Sequence, residues 1–434
     1  MTLNYDYLIV GGGMTAAAAV AGIREIDRRG TIGLIAAEPH PPYDRPPLTK
    51  GLWKGDPLDS IWRKVDGQGV SSHAGRTAQS VDPSSRRVVD DLGRSYTYGR
   101  LLLATGCTPR RFAFGEAQII YFRTVDDWQR LHAMASHGKR IAIVGAGFIA
   151  SELAASLANN NQRVVMIFPD EGIGSRMYPP EMAAFLNDVY RENGVEILPG
   201  STVTGCEPRN EKLVLAVRRD VAGAEREVLV DGVVAGIGVQ PNVELARAAG
   251  LTVKDGIRVD ASLRTSDPNI FAAGDVASFY DRSLNEWRRV EHADNATTMG
   301  GDVGVAMAGR TVVYDHIPFF YSDFFDFGYE AVGQVDSRLE MVADWNVPYR
   351  EGVIYYLHDQ RVRGVLLWNI WGQADAARRL LGASGSTERS GLIGQLGKIH
   401  GGRGEQQAFP ADCTPIGAEC AAGNRRADDA KRSA

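Results

Sequence analysis

Short, wholly apolar runs recur along the chain, and several of them lead into a glycine-bearing turn and then a helical stretch. Tyr7–Val10 is the first such run, and having no polar face it predicts a strand buried on both sides. Gly11, Gly12 and Gly13 follow, and then an alanine-rich stretch with no helix breaker before Gly22, which predicts a helix. Thr31–Ile35 is the next strand. The pattern repeats as strand Ile141–Val144, helix Phe148–Asn159, strand Val164–Phe168 and helix Pro180–Asn193, with further strands to about Gly238. Between the two repeats, Val70–Tyr98 alternates over short spans and predicts a small antiparallel hairpin layer. Leu101–Ala104 then returns an apolar strand to the main sheet. Gly236–Val243 is the expected return linker, and Asp267–Val276 a strand ending at Gly274 and Asp275. Beyond Pro318, Val353–Leu357 and Val362–Leu367 are strand-like and precede a helix over Asp375–Leu381. From about Arg403 the chain is polar and aperiodic, and a disordered tail is expected. The expected fold is α/β: two Rossmann-like dinucleotide-binding domains plus a C-terminal α+β domain. The boundaries are 1–122 with 244–310, 123–243, and 311–402, ahead of a tail at 403–434.

The two glycine turns bring the chemistry. In Gly11-Gly-Gly-Met-Thr-Ala16, Gly11 permits the tight turn and Gly13 lets backbone approach a pyrophosphate with no Cβ in the way. Ala16 stands where the helix must pack close to the strand. Unpaired N–H groups and the positive dipole end of the helix would face the anion. An acid at the end of the next strand would anchor the ribose, and Glu38 lies about 20 residues past Ala16. Gly145-Ala-Gly147 repeats the loop ahead of Ala150, and Asp170 again follows at about 20 residues. One such loop is a weak signal; two complete units predict two dinucleotides held together.

Composition mainly excludes. A length of 434 residues accommodates about three domains. With 48 basic and 53 acidic residues the net charge is −5, which gives nucleic acid no electrostatic footprint. No apolar run approaches the roughly 20 residues of a membrane span, and no leader precedes the first strand, so a soluble, cytoplasmic protein is expected. The four cysteines, Cys107, Cys206, Cys413 and Cys420, form no C-x-x-C and no metal-ligand spacing. No metal site is expected.

Other candidates are read with their alternatives. The proline-dense segment Pro41–Trp53 presents Arg45 and Lys50 rigidly beside the first loop, or is a surface loop with solvated charges. Thr105 and Gly106 fall at the carboxyl end of a strand, where open α/β sheets bind ligands. Asp275 accepts hydrogen bonds from a polyol, or caps a helical turn. The aromatic run Pro318–Phe327 is mostly core, with one or two rings turned to a cofactor.

Taken together, these segments resemble the FAD- and NAD-dependent pyridine nucleotide oxidoreductases of the glutathione-reductase fold. Within them the likeness is to the apoptosis-inducing factor family, with putidaredoxin-type ferredoxin reductases as near relatives. It spans about residues 5 to 400 and rests on Pro42-Tyr-Asp-Arg-Pro-Pro-Leu-Thr-Lys50, Gly145-Ala-Gly-Phe-Ile-Ala-Ser-Glu152 and Val290-Glu-His292. In the third domain it rests on Gly328–Gly333, Gly352–Leu357 and Val365–Ile370. The resemblance implies that Gly11, Gly13, Met14, Thr15, Ala16, Glu38, Arg45, Lys50, Arg123, Gly274 and Asp275 hold FAD, with backbone help from Ala78, Thr105 and Gly106. It implies that Gly145, Gly147, Phe148, Ile149, Asp170 and Gly238 hold the nicotinamide cofactor, with Glu291 and His292 lining its side of the flavin. Lys50, Glu152 and His292 are the implied catalytic residues, Lys50 pairing with Glu152 beside the flavin N5; His292 is otherwise a packed histidine. Asp170 favours NADH over NADPH, because an acid repels a 2′-phosphate. Tyr321 stands where the family commonly has tryptophan, and a long insertion between Asp344 and Val353 is missing. The implied activity is hydride transfer from NADH to flavin, with electrons leaving for an external acceptor: a small ferredoxin- or rubredoxin-type iron–sulfur protein, a quinone or oxygen. A redox-sensing binding protein is the rival reading, as monomer or homodimer.

Overall fold

The computed structural model describes residues 2–65, 67–135, 138–219, 223, 225–382 and 388–397. The expected tail, with Cys413 and Cys420, lies outside the described residues.

The first sheet contains β1 (Thr2–Val10), β2 (Ile32–Ala36), β3 (Val70–Ala74), β4 (Ala78–Asp82), β5 (Arg87–Asp90) and β6 (Ser95–Leu103), in the order β3-β2-β1-β6-β5-β4. Helix α1 (Met14–Ile26) joins β1 to β2. The apolar half of β1 is buried, and Leu8 and Ile9 are fully enclosed by parallel neighbours on both sides.

The second sheet repeats the unit. It contains β7 (Ile119–Tyr121), β8 (Arg140–Val144), β9 (Arg163–Ile167), β10 (Glu196–Leu198) and β11 (Gly232–Ala235), in the order β10-β9-β8-β11-β7, all parallel. Helix α2 (Phe148–Asn159) follows β8. The chain then returns to the first sheet, where β12 (Ile270–Ala272) lies parallel beside β6. Helix α3 (Ala293–Met307) packs on α1. The last sheet is antiparallel: β13 (Phe319–Phe324), β14 (Phe327–Gly333), β15 (Glu340–Val347), β16 (Glu351–His358) and β17 (Arg361–Trp368), ordered β13-β14-β17-β16-β15. Helix α4 (Ala374–Gly382) covers it. Among the described residues no helix is long and apolar enough to cross a membrane.

Two expectations are corrected. Val70–Ala74 is not part of a hairpin layer but runs parallel to β2 at the sheet edge. Its five residues are all partly or fully exposed, as on an edge strand, whereas β4, β5 and β6 pair antiparallel with one another as expected. Gly22 does not end α1, which continues to Ile26. A Cβ at Gly22 would stand 2.2 Å from the Gly301 carbonyl oxygen, and one at Gly304 2.2 Å from that of Ala19. These glycines let α1 and α3 cross at backbone contact. The site depends on that crossing, because α3 begins immediately after His292.

Candidate functional site

The two glycine turns are built alike. Gly11 has φ +120° and its N–H donates to the Ile35 carbonyl; Gly145 has φ +119° and donates to the Ile167 carbonyl. A Cβ would stand 2.0 Å from the Ala104 oxygen at Gly11 and 2.4 Å from the Gly236 oxygen at Gly145. Both positions therefore require glycine twice over, by φ and by space. Gly13 and Gly147 precede the first residues of α1 and α2, neither helix has a side-chain cap, and a Cβ at either glycine would meet nothing within 4 Å. Each helix start thus presents uncapped N–H groups to open space, the geometry that accepts an anion. Met14, Thr15 and Ala16 form the buried first turn of α1, and Ala150 the matching position of α2.

Around the first loop several distant segments converge. Gly274, at φ +76°, packs so closely on α1 that a Cβ would stand 2.3 Å from Thr15 Oγ1. Asp275 is not a helix cap; its carboxylate accepts from Arg123 at 2.6 Å. The Arg123 Nε is buried with no protein partner, a donor left over for a ligand. The Glu38 carboxylate accepts from Arg45 at 2.7 Å and from Tyr43 at 2.6 Å. Arg45 also donates to the Arg123 carbonyl at 2.6 Å. Ala78 opens β4, paired with Asp90. The Thr105–Gly106 turn is laced by a residue that sequence reading passed over: Asn242 donates to the Thr105 carbonyl at 2.8 Å, and its carbonyl accepts from Thr105 Oγ1 at 2.8 Å. Only the Pro241-Asn242 pair at the end of the linker signalled it.

At the second loop, Asp170 follows β9 with its side chain partly exposed and Arg176 Nε at 3.8 Å. Gly238, at φ +93°, accepts at its carbonyl from the Arg110 N–H. Ile149 is half-buried beside Phe148, which is exposed.

In the helix that follows the second loop, Glu152 forms a buried ion pair. Lys50 Nζ contacts Glu152 Oε1, with side chains 12% and 8% exposed. Thr49 and Ser322 also donate to this carboxylate. The Lys50 ammonium lies 5.7 Å from the centre of the Tyr321 ring. His292 stacks on Phe320 at 4.1 Å, and Phe148 meets both rings edge-on. Glu291 pairs with Arg289, which also donates to the Asp275 carbonyl at 3.1 Å. Of the aromatic run, Phe324 and Phe327 join Trp368 in the core, while Phe320 and Tyr321 face this site.

Burial lowers the pKa of His292 from 6.5 to about 4, so the ring is neutral near pH 7. The unfolded chain then binds the extra proton between those values, and the folded form loses stability as pH falls from about 6.5 towards about 4. His292→Phe is expected to flatten urea-denaturation stability over that window, and an unchanged pH profile would place the titration elsewhere. Burial pushes the Cys107 thiol up to about 12, which leaves it protonated and inert. Cys206 is raised by burial as well. Among the described residues no cluster of His, Cys, Asp and Glu is placed to hold a metal.

The family model described as pyridine nucleotide-disulphide oxidoreductase matches residues 5–300. The chain belongs to that family. A second model, the C-terminal region of mitochondrion-associated apoptosis-inducing factor, matches residues 344–383. Apoptosis-inducing factor 1 of Dictyostelium discoideum is 31% identical over 87% of this chain and 78% of its own length. Putidaredoxin reductase of Pseudomonas putida is 29% identical over 84% of this chain and 89% of its own. The reductase in the covalent putidaredoxin reductase–putidaredoxin complex superposes with a TM-score of 0.81 at 27% identity, covering 87% of this chain and 93% of that one. As a member of this family the protein is an FAD-dependent NAD(P)H oxidoreductase.

Proposed function

We propose that this oxidoreductase takes hydride from NADH and passes electrons outward to a small iron–sulfur protein. The observation that supports it is the buried Lys50–Glu152 pair, its glutamate in the helix that follows the second glycine loop, with no cysteine pair in the sequence beside it. When bound, FAD supplies two-electron acceptance and stepwise release. The chain supplies the rest. Gly13 and the N-terminus of α1 take the pyrophosphate, Glu38 the ribose, and the Asp275–Arg123 pair the polyol end. We place this FAD-binding domain at 1–122 with 244–310, the nicotinamide-binding domain at 123–243 and the C-terminal domain at 311–402. Lys50 sets a cation where negative charge develops on reduction. Phe148, Glu291 and the neutral His292 shape the nicotinamide face. Cys107 is buried and protonated, and among the described residues neither Cys107 nor Cys206 is in a disulfide that could take electrons. Likeness to putidaredoxin reductase supports the iron–sulfur acceptor. Unpaired thiols at Cys107 and Cys206 suit a cytoplasmic setting.

The match at 344–383 favours a second reading, in which NADH changes the assembly state of a slow sensor. Anaerobic titration decides. Bleaching of the bound flavin at about one NADH per FAD, followed by reoxidation with a ferredoxin, is the expected result. Bleaching with no reoxidation, and a shift in oligomeric state, would favour the sensor; a yellow protein that NADH does not bleach would overturn both. In the same assay Asp170→Ala should lower the NADH-to-NADPH preference roughly tenfold, from loss of one charge-assisted hydrogen bond. An unmoved ratio would refute the ribose assignment.

A further inference from the structure

Glu152 is held by more than Lys50. It lies in the first half of α2 and is buried, and a buried carboxylate needs its oxygens occupied. Thr49 Oγ1 donates to Oε2 at 2.5 Å, and Ser322 Oγ donates to Oε1 at 2.6 Å, the oxygen that also meets Lys50. The two hydroxyls come from different directions, Thr49 from the proline-dense segment and Ser322 from β13 of the C-terminal sheet. Ser322 is 1% exposed, so water cannot substitute for it freely. Its neighbours on the other face of β13 turn to the lysines. Asp323 Oδ1 stands 3.9 Å from Lys50 Nζ, and its other oxygen 2.6 Å from Lys54 Nζ. One strand of the C-terminal sheet therefore touches both members of the ion pair.

We propose that Ser322 is a positioning residue for the flavin site: with Thr49 it fixes the rotation of the Glu152 carboxylate, and through it the placement of the Lys50 ammonium, so that the C-terminal sheet tunes hydride acceptance. The inference rests on the reading of Lys50 and Glu152 given above. It goes beyond packing, because Ser322→Ala removes one oxygen and almost no volume but frees the carboxylate to rotate.

The test uses the FAD-loaded full chain and two readouts, the midpoint potential of the bound flavin and its rate of reduction at saturating NADH under anaerobic conditions. Ser322→Ala is expected to lower the potential and slow reduction roughly tenfold, the size expected of one hydrogen bond to a charged group. NADH affinity should stay within about twofold of the parent, since the buried Ser322 hydroxyl meets Glu152 and not the second glycine loop. In a Glu152→Gln background the same substitution should add little, because the group it positions is already altered. Thr49→Ala should behave like Ser322→Ala while Thr49→Ser, which keeps the hydroxyl, restores both readouts. If Ser322→Ala fails to hold FAD, the Thr49→Ala and Thr49→Ser comparison decides alone. Parent-like potential and rate in Ser322→Ala, with a slow Glu152→Gln, would overturn the inference and leave the site reading intact. A full multiplicative loss in the double variant would also overturn it. Parent-like behaviour of Glu152→Gln itself would remove the site reading and the inference together.

Discussion

Gly13→Val is expected to give a folded protein that cannot take up FAD. Gly13 sits at φ −92° and ψ −165°, extended backbone open to any residue, and its Cβ would meet no atom within 4 Å. Valine therefore adds no strain to the free chain, and apoprotein thermal unfolding should match the parent within a few degrees. The same branched side chain fills the space in front of the uncapped α1 N-terminus. Losing one or two hydrogen bonds to a charged phosphate should weaken FAD binding roughly 100-fold. Purified protein should be colourless, with the loss measured by fluorescence quenching on adding FAD back. Gly147→Val, at φ −84° and ψ −172°, should leave the protein yellow but no longer bleached by NADH. Gly11→Ala is a different experiment, because its Cβ would collide with the Ala104 carbonyl and damage the fold. A yellow Gly13→Val protein would show that the first loop does not cradle a pyrophosphate.

Lys50→Met should have the largest effect on both stability and rate. It leaves the Glu152 carboxylate buried with only hydroxyl donors, and an unmatched buried charge costs about 3–5 kcal/mol. Flavin reduction should fall roughly 100-fold, as when one preorganised electrostatic partner is removed from an active site. Adding Glu152→Leu removes the stranded charge, so Lys50→Met/Glu152→Leu should be more stable than Lys50→Met alone. Recovery should be partial, since Thr49 and Ser322 then lack their acceptor. Urea denaturation and stopped-flow reduction would measure the two effects. A single variant that keeps parental stability would mean that water or another cation reaches Glu152.

The local parts of this molecule were legible in the residues. Strand, glycine turn and helix follow from short-range rules: an apolar run with no polar face, a φ only glycine tolerates, and helix formers beyond it. Those rules act within about twenty residues, so both glycine loops, the ends of α2 and the acid Asp170 could be found from spacing. Val70–Ala74 misled because a short, largely exposed edge strand of a parallel sheet carries no local mark that separates it from a hairpin strand. Gly22 misled because a helix breaker by propensity serves here as a contact between helices. The meeting of side chains from remote segments was decided by the order in which strands assemble, which no local pattern encodes. Arg123 reaches Asp275, Asn242 closes the Thr105 turn, and Ser322 reaches Glu152 only because segments remote in sequence converge in the fold. The sequence by itself determined two strand–glycine turn–helix units and the residues beside them. Tertiary structure alone decided which hydroxyls hold Glu152 and that Asp323 approaches Lys50, because burial across three chain segments sets those partners.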